Sequence, residues 1–200
     1  MENGLLTQFE GIKDIKKGSL VVLAARPFFG KTKFSYNIAF DVADNNQKAK
    51  IYSFGKDNEI NNYNQKNLDI DYNPNNKIDD ILNNSNGYDL IIIEPLLSLD
   101  EESIKKLKDL AVKTNSVVLL IRELRTEIDT RNDKRPLLSD LSDELINNAD
   151  VILFMYGDYY YKQDYSNGMI IELTKFDDDN ITTYKLLRHN DKRTFTNYVD

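Results

Sequence analysis

The chain has 200 residues, of which 30% are charged, and its 26 basic and 33 acidic side chains give a formal net charge of -7. This composition is typical of a soluble globular domain, and it is too acidic for a protein that coats nucleic acid through its overall charge. Cysteine is absent and His189 is the single histidine, which excludes disulfides, thiolate metal sites and histidine-rich zinc sites.

Signals for membrane insertion or secretion are missing from the sequence. No apolar run approaches the roughly 20 residues that cross a bilayer. Residues 1–18 lack the apolar stretch of a signal peptide. We therefore predict a cytoplasmic protein without membrane contact, folded as a single domain over residues 1–200.

Short apolar runs predict strands that are buried on both faces, because their apolar residues follow one another without alternation. These runs cover residues 19–25, 50–55, 89–94, 116–121 and 150–156. Between them, residues 32–44 and 100–113 place apolar side chains along one stripe, as amphipathic helices do. The alternation predicts an α/β fold, with a mostly parallel central sheet that is flanked by helices.

The remaining segments have different patterns. Residues 168–174 and 181–188 alternate between apolar and polar side chains around an acidic run, which predicts a C-terminal antiparallel hairpin added to the sheet. Residues 58–86 are rich in Asn, Asp and Lys and predict a solvated loop with one short helix over residues 77–83. A partner-binding loop is the alternative interpretation of this stretch.

A phosphate-binding motif follows the first predicted strand and precedes a predicted helix. This phosphate loop consists of Ala25, Arg26, Pro27, Phe28, Phe29, Gly30, Lys31 and Thr32. In such a loop, main-chain N–H groups converge on phosphate oxygens, Lys31 reaches the β- and γ-phosphates, and Thr32 ligates Mg²⁺. We therefore predict that the chain binds ATP and Mg²⁺; an ordinary turn between strand and helix is the alternative.

Glu94 ends the predicted strand 89–94 and supplies the second carboxylate that a phosphate loop needs. At the end of a neighbouring strand, such a group holds the water shell of the Mg²⁺ ion that Thr32 ligates. The alternative is an exposed acid that only marks the end of the strand.

The phosphate loop and a later block of sequence are shared, in order, with one known family. The loop has Ala25 in place of the usual first glycine, and residues 134–141 (KRPLLSDL) are followed by residues 148–156 (NADVILFMY). Both blocks resemble the C-terminal RecA-like ATPase domain of DnaB-type replicative DNA helicases. The resemblance covers nearly the whole chain and implies a RecA-like P-loop NTPase fold without the family's N-terminal helical domain.

The resemblance also implies catalytic positions. Asp57 lies where the family has a catalytic Glu, and Arg122 lies where it has a polar sensor of the γ-phosphate. Lys175 lies in the hairpin that inserts a finger into the neighbouring subunit's site, but Asp177 stands where the family has Arg. The alternatives are a plain loop acid at Asp57, an ion pair of Arg122 with Glu123 at the surface, and a plain hairpin turn at Asp177.

The family's DNA-contacting loops correspond to the most basic stretch of the chain, residues 122–135, which we call the basic segment. Its candidate phosphate contacts are Arg131, Lys134 and Arg135, and a solvated loop is the alternative. The aromatic segment 156–165 is interpreted as a partly buried aromatic corner, with stacking on adenine as the alternative. His189 is interpreted as structural.

Two functions are consistent with these positions. The first is a DnaB-like ATPase that acts on DNA in replication, with single-stranded DNA and a homo-oligomer or helicase subunit as partners. The second is a nucleotide-binding accessory protein with weak hydrolysis, because an arginine supplied in trans contributes roughly 10³ to 10⁵ in rate in GTPases and Asp177 replaces it here.

Overall fold

A computed structural model of the chain describes residues 4–54, 65–95, 99–166, 168–178, 180–189 and 194–199. Within these residues the strands are β1 (Leu20–Ala25), β2 (Ala49–Tyr52), β3 (Leu68–Asp71), β4 (Leu90–Ile93), β5 (Val117–Glu123), β6 (Val151–Tyr156), β7 (Met169–Asp177), β8 (Asn180–Arg188) and β9 (Phe195–Asn197). The helices are α1 (Lys31–Asp44), α2 (Ile78–Asn83), α3 (Glu101–Thr114), α4 (Asp143–Asn148) and α5 (Asp158–Lys162). Short 3₁₀ helices span Thr126–Thr130 and Leu138–Asp140.

All the described strands form one sheet in the order β3-β2-β4-β5-β1-β6-β7-β8-β9. The strands from β3 to β6 in this order are parallel to one another, and β7, β8 and β9 are added antiparallel. The predicted α/β fold with a parallel sheet and a C-terminal hairpin is therefore confirmed. The carboxyl ends of the parallel strands meet at one edge of the sheet, which is where α/β proteins place their ligand sites.

Each face of the sheet carries its own hydrophobic core. On one face, Val21 and Leu23 of β1 pack with Phe34 and Ile38 of α1. On the other face, Val22 packs with residues of the layer formed by α2, α3 and α4. The central strands are covered on both sides, which explains their uninterrupted apolar sequences.

The structure differs from the sequence prediction at the edges of the sheet. β3 lies within the stretch that was expected to be a solvated loop, where Leu68 is buried and pairs with Ala49. Its sequence Leu-Asp-Ile-Asp is too short and too acidic to indicate a strand, since an edge strand needs few apolar residues. The expected short helix in this stretch is present as α2.

Two strands extend further than predicted. β5 continues through Arg122 and Glu123, so both residues are paired with β1 rather than following the strand. The β7–β8 pairing continues to Asp177 opposite Asn180, so Lys175 and Asp177 both lie within a strand. No helix in the described part of the chain is long and apolar enough to cross a membrane.

Candidate functional site

The phosphate loop leaves the carboxyl end of β1 and turns directly into α1. Gly30 precedes the helix with a left-handed φ of 84°, a conformation that favours glycine. A β-carbon at this position would lie 3.1 Å from the Cζ atom of Phe195, so the space above Gly30 is also filled. Phe28 has a φ of 71°, and this gives the loop a second left-handed residue at its tip.

Lys31 is the buried cation of this loop. Lys31 is 8% exposed, and its Nζ atom donates to the carbonyl oxygen of Arg26 at 3.1 Å. Burial lowers the pKa of Lys31 to about 8, and the charge of Arg26 also lowers it, whereas the charge of Glu123 opposes the shift. An anion brought to the loop would stabilise the protonated lysine, because opposite charge favours the charged form.

Arg26 attaches the phosphate loop to the 3₁₀ helix Thr126–Thr130. Its guanidinium donates to the Asp129 carboxylate at 2.7 Å and to the Leu124 carbonyl oxygen at 3.0 Å. The Tyr161 hydroxyl donates to the same carboxylate at 2.8 Å. These partners lower the pKa of Asp129, chiefly through the hydrogen bond from Arg26. The charge of Arg26 is thus balanced within the chain.

Glu94 lies just beyond β4 and is 6% exposed. Its two carboxylate oxygens accept hydrogen bonds from the Tyr36 hydroxyl at 2.5 Å and the Ser53 hydroxyl at 2.6 Å. Burial raises the pKa of Tyr36, and the charge of Glu94 raises it further. Tyr36 follows Thr32 by one turn of α1, so both side chains lie on the same face of the helix. The structure therefore brings Glu94 beneath the start of α1.

The end of β5 carries two different side chains beside the end of β1. Arg122 is half-buried opposite Ala24 of β1, and burial lowers its pKa. Glu123 lies opposite Ala25, and its charge acts on Lys31. Sequence reasoning assigned Arg122 to the site and treated Glu123 only as its ion-pair partner. The sequence signal that could have identified Glu123 is the alternation of side chains along a strand.

Of the other two predicted catalytic residues, the structure describes only Lys175. Asp57 lies outside the described residues. Lys175 lies in the middle of the sheet, opposite Leu153 of β6, and is 7% exposed. Its Nζ atom lies 2.9 Å from the Asp177 carboxylate, two residues along the same strand. The proposed finger lysine is therefore paired within its own chain.

The three candidate DNA contacts of the basic segment already have partners within the chain, and Lys134 donates to the Arg131 carbonyl oxygen at 2.9 Å. Arg131 donates two hydrogen bonds to Asp140, at 3.0 and 2.9 Å. Arg135 donates to Glu172 at 2.7 and 2.9 Å. Lys134 lies over the Tyr161 ring, 5.7 Å from its centroid. Both arginines therefore have a carboxylate partner within the chain.

The aromatic segment packs as a corner beside the phosphate loop. Phe29 is buried, and rings of Tyr156, Tyr159 and Tyr160 surround it with centroid distances of 6.2, 6.5 and 5.4 Å. Phe28 is 74% exposed and stacks on Tyr160 at 6.3 Å. The segment thus anchors one side of the loop through buried apolar contacts, in agreement with the aromatic corner.

The C-terminal strands contribute residues that sequence reasoning missed. Arg188 at the end of β8 donates from Nη1 to the Phe28 carbonyl oxygen at 2.6 Å. The main-chain N–H of Phe195 donates to the Asn37 side chain of α1 at 2.7 Å. No motif connects these residues to the phosphate loop, since they are more than 150 positions away in the chain.

The sequence model of the DnaB-like helicase C-terminal domain matches residues 56–197. Replicative DNA helicase DnaB of Geobacillus stearothermophilus is 27% identical over 214 aligned residues, which cover 79% of this chain and 47% of that helicase. Replicative DNA helicase DnaC of Bacillus subtilis is 26% identical with the same coverage. The chain thus spans about half the length of these curated relatives. Since the alignment is longer than the chain, both relatives carry additional residues within it.

Two solved structures share the fold. One of them is an ATPase domain that superposes with a TM-score of 0.79 at 22% identity, covering 92% of this chain and 86% of that one. The other is a DnaB-like replicative helicase, described with its interactions with primase, which gives a TM-score of 0.78 at 22% identity and covers 92% of this chain and 58% of that one. These likenesses confirm the predicted RecA-like fold.

Proposed function

Because the chain belongs to the DnaB-like helicase C-terminal domain family, we propose that it binds ATP at the phosphate loop and acts on DNA in replication as a helicase-related ATPase. The observation that carries this proposal is the buried ammonium group of Lys31 beside the left-handed Gly30, at the start of α1. A helix N-terminus offers N–H groups to an anion. Lys31, whose ammonium group donates to a neutral carbonyl oxygen within the described residues, adds the charge that a polyphosphate requires.

Mg²⁺ would be held by oxygen atoms at the start of α1. The Thr32 hydroxyl is the direct ligand in this proposal, and Glu94 binds the water shell, since oxygen donors are the ligands that Mg²⁺ prefers. Tyr36 and Ser53 fix the orientation of the Glu94 carboxylate through their hydrogen bonds. The bound ion would neutralise charge on the phosphates, while Lys31 binds the β- and γ-phosphate oxygens.

Hydrolysis would depend on three further residues. In this proposal, Asp57 orients the attacking water, Arg122 contacts the γ-phosphate, and Lys175 acts on a neighbouring subunit. Lys175 is buried and paired with Asp177, so it would have to leave this pair before it could reach another chain. This observation favours slow turnover, and it supports the second candidate function, a hydrolysis-poor nucleotide-binding accessory protein that pairs with a helicase or with DNA.

Single-stranded DNA is the proposed partner of the basic segment, through Arg131, Lys134 and Arg135. The two arginines would have to exchange a carboxylate for a DNA phosphate, so we expect weak, salt-sensitive binding. A ring of subunits, formed with copies of this chain or with a helicase, would place several such segments side by side. A cytoplasmic location follows from these partners.

The test combines nucleotide binding with turnover. Calorimetric titration of the purified protein with ATP and Mg²⁺ should show binding. Lys31→Ala should weaken it by about 10- to 150-fold, because charge-assisted hydrogen bonds contribute about 1.5–3 kcal/mol. Lys113→Ala removes an exposed cation from the last turn of α3 and is the matched control.

Turnover separates the two candidates. ATP hydrolysis that rises with single-stranded DNA and is lost in Lys31→Ala supports the ATPase. Binding with no turnover in either condition supports the accessory protein. If the native protein and Lys31→Ala fail equally to bind ATP, the proposed nucleotide site is wrong.

A further inference from the structure

Arg188 reaches the phosphate loop from the far end of the chain. It is the last residue of β8, where it pairs with Met169 of β7 and Phe195 of β9. Its Nη1 atom donates to the Phe28 carbonyl oxygen at 2.6 Å and lies 3.5 Å from the Tyr159 hydroxyl. The guanidinium carbon lies 3.6 Å from the position that a β-carbon would take at Gly30. A second cation therefore stands beside the loop, within a few ångströms of its glycine.

The electrostatic setting of Arg188 differs from that of other arginines in the fold. Arg26, Arg131 and Arg135 each form an ion pair with a carboxylate. Across the ranges that the structure describes, Arg188 forms no such ion pair, and its partners are a neutral carbonyl and a hydroxyl. Within the described residues, the guanidinium therefore has no carboxylate partner, and it lies against the loop.

We propose that Arg188 is a phosphate-binding residue that this chain supplies to its own nucleotide site, where it contacts the diphosphate or triphosphate of the ligand beside Gly30. This inference rests on the proposed nucleotide site and adds a residue to it. When the ligand arrives, the guanidinium exchanges the Phe28 carbonyl for phosphate oxygens. The exchange is favourable because a phosphate accepts bidentate, charge-assisted hydrogen bonds from a guanidinium, whereas the Phe28 carbonyl oxygen accepts one bond and carries no net charge.

Arg188 also compensates for the cation that the β7–β8 hairpin lacks at Asp177. Asp177 stands where a cation would serve a neighbouring subunit, and Lys175 is paired with it. Arg188 places a cation at the loop without any neighbour. The nucleotide affinity of an isolated chain should therefore depend on Arg188 and be independent of assembly.

A purely mechanical role is the competing explanation, because the bond from Arg188 also braces the left-handed Phe28. The two roles differ in how they respond to charge. Arg188→Lys keeps the charge but loses the planar geometry, whereas Arg188→Gln keeps a hydrogen-bond donor and loses the charge. A brace is insensitive to the charge, but a phosphate contact requires it.

The experiment measures the dissociation constants of ATP and ADP by calorimetry at several salt concentrations. Arg188→Gln should weaken both ligands about tenfold and flatten the dependence of affinity on salt, and Arg188→Lys should recover most of the affinity. Lys113→Gln, which removes an exposed cation from α3, is the matched control and should behave like the native protein. The melting temperature without ligand reports any bracing role.

Native affinity and native salt dependence in Arg188→Gln would overturn the inference, as would equal losses in the Gln and Lys variants with an unchanged salt dependence. Failure of the native protein itself to bind ATP would overturn the underlying nucleotide site. A charge-dependent loss confined to the Arg188 variants would establish the contact.

Discussion

Two cations beside the phosphate loop and two in the basic segment differ in the charge of their partners, although Arg26 of the loop also forms an ion pair and Lys134 of the segment also donates to a carbonyl oxygen. At the loop, Lys31 and Arg188 donate to main-chain carbonyl oxygens. In the basic segment, Arg131 and Arg135 donate to the carboxylates of Asp140 and Glu172. A cation on a neutral carbonyl gains by moving to a phosphate, whereas a cation taken from a carboxylate must first give up an ion pair. Whether a cation can bind an anion therefore depends on its partner within the chain and not on the number of basic residues nearby.

The largest effect is expected at Asp140, which holds the basic segment in place. This carboxylate accepts two hydrogen bonds from Arg131 and a third from the Leu137 main-chain N–H. Asp140→Ala should lower the free energy of unfolding by about 2 kcal/mol, because it removes the carboxylate partner of the partly buried Arg131 guanidinium, which keeps only the Arg135 carbonyl oxygen as an acceptor, and also removes the acceptor of the Leu137 N–H group. Urea denaturation measures the change.

Asp133→Ala provides the matched control for this measurement. Asp133 also pairs with an arginine of the basic segment, but its side chain is 68% exposed and the contact is 3.4 Å long. Its loss should change stability by less than about 0.5 kcal/mol, as for other exposed ion pairs. If both variants lost the same stability, the distinction between cations that a carboxylate holds and cations that are free to bind an anion would be wrong.

The next effect concerns the pH dependence of the loop. Burial lowers the pKa of Lys31 from 10.5 to about 8, so the lysine is protonated below pH 8 and loses its charge above it. ATP affinity should be nearly constant below pH 8 and then fall by up to about tenfold per pH unit, until the pKa of the complex is reached. Calorimetric titration between pH 7 and pH 9.5 measures this decline.

The fall in ATP affinity above pH 8 should be absent in Lys31→Met, because this variant has no lysine at position 31 that could lose its charge. A native protein whose ATP affinity is flat across this range would contradict a buried, phosphate-binding Lys31. The basic segment serves as the internal contrast, because its paired arginines keep their charge throughout the range.

The smallest effect would come from releasing a cation in the basic segment. Glu172→Gln removes the carboxylate that holds Arg135. Affinity for single-stranded DNA should rise about threefold, and the slope of log affinity against log salt should steepen by about 0.7, the value for one additional phosphate contact. Fluorescence anisotropy with a labelled oligonucleotide measures both.

Glu101→Gln removes one carboxylate from α3, where it pairs with Lys105, and so matches the change in net charge. It should leave the salt slope unchanged. An identical response of the two variants would mean that only the total charge matters and that Arg135 makes no specific contact with DNA.

The sequence predicted the interior of the fold better than its edges. β1, β4, β5 and β6 appear as continuous apolar runs because helices cover both of their faces. β3 and β9 escaped prediction, since strands of four and three residues at the edges of a sheet carry little hydrophobic pattern. The pairing of an edge strand depends on the neighbouring strand, so the local sequence of the edge strand predicts it poorly.

The site was predictable only where a local motif exists. The motif located the phosphate loop and Lys31 correctly at the carboxyl edge of the sheet. It gave no indication of the bonds from Tyr36 to Glu94 or from Arg26 to Asp129, because each joins side chains that are more than 50 residues apart. The placement of Lys175 in a buried strand likewise depends on the register between β6 and β7.

The ring of Phe195 over Gly30 has a consequence for the order of events during synthesis. The ring that fills the space above the loop's glycine comes from β9, which is translated 165 residues after that glycine. Asn197 of the same strand also donates to the Gln8 carbonyl oxygen, so β9 contacts a segment that precedes β1 as well. Contacts of such long separation form late. A nascent chain still emerging from the ribosome therefore carries the whole nucleotide motif without its final packing, and the site matures only when β9 docks.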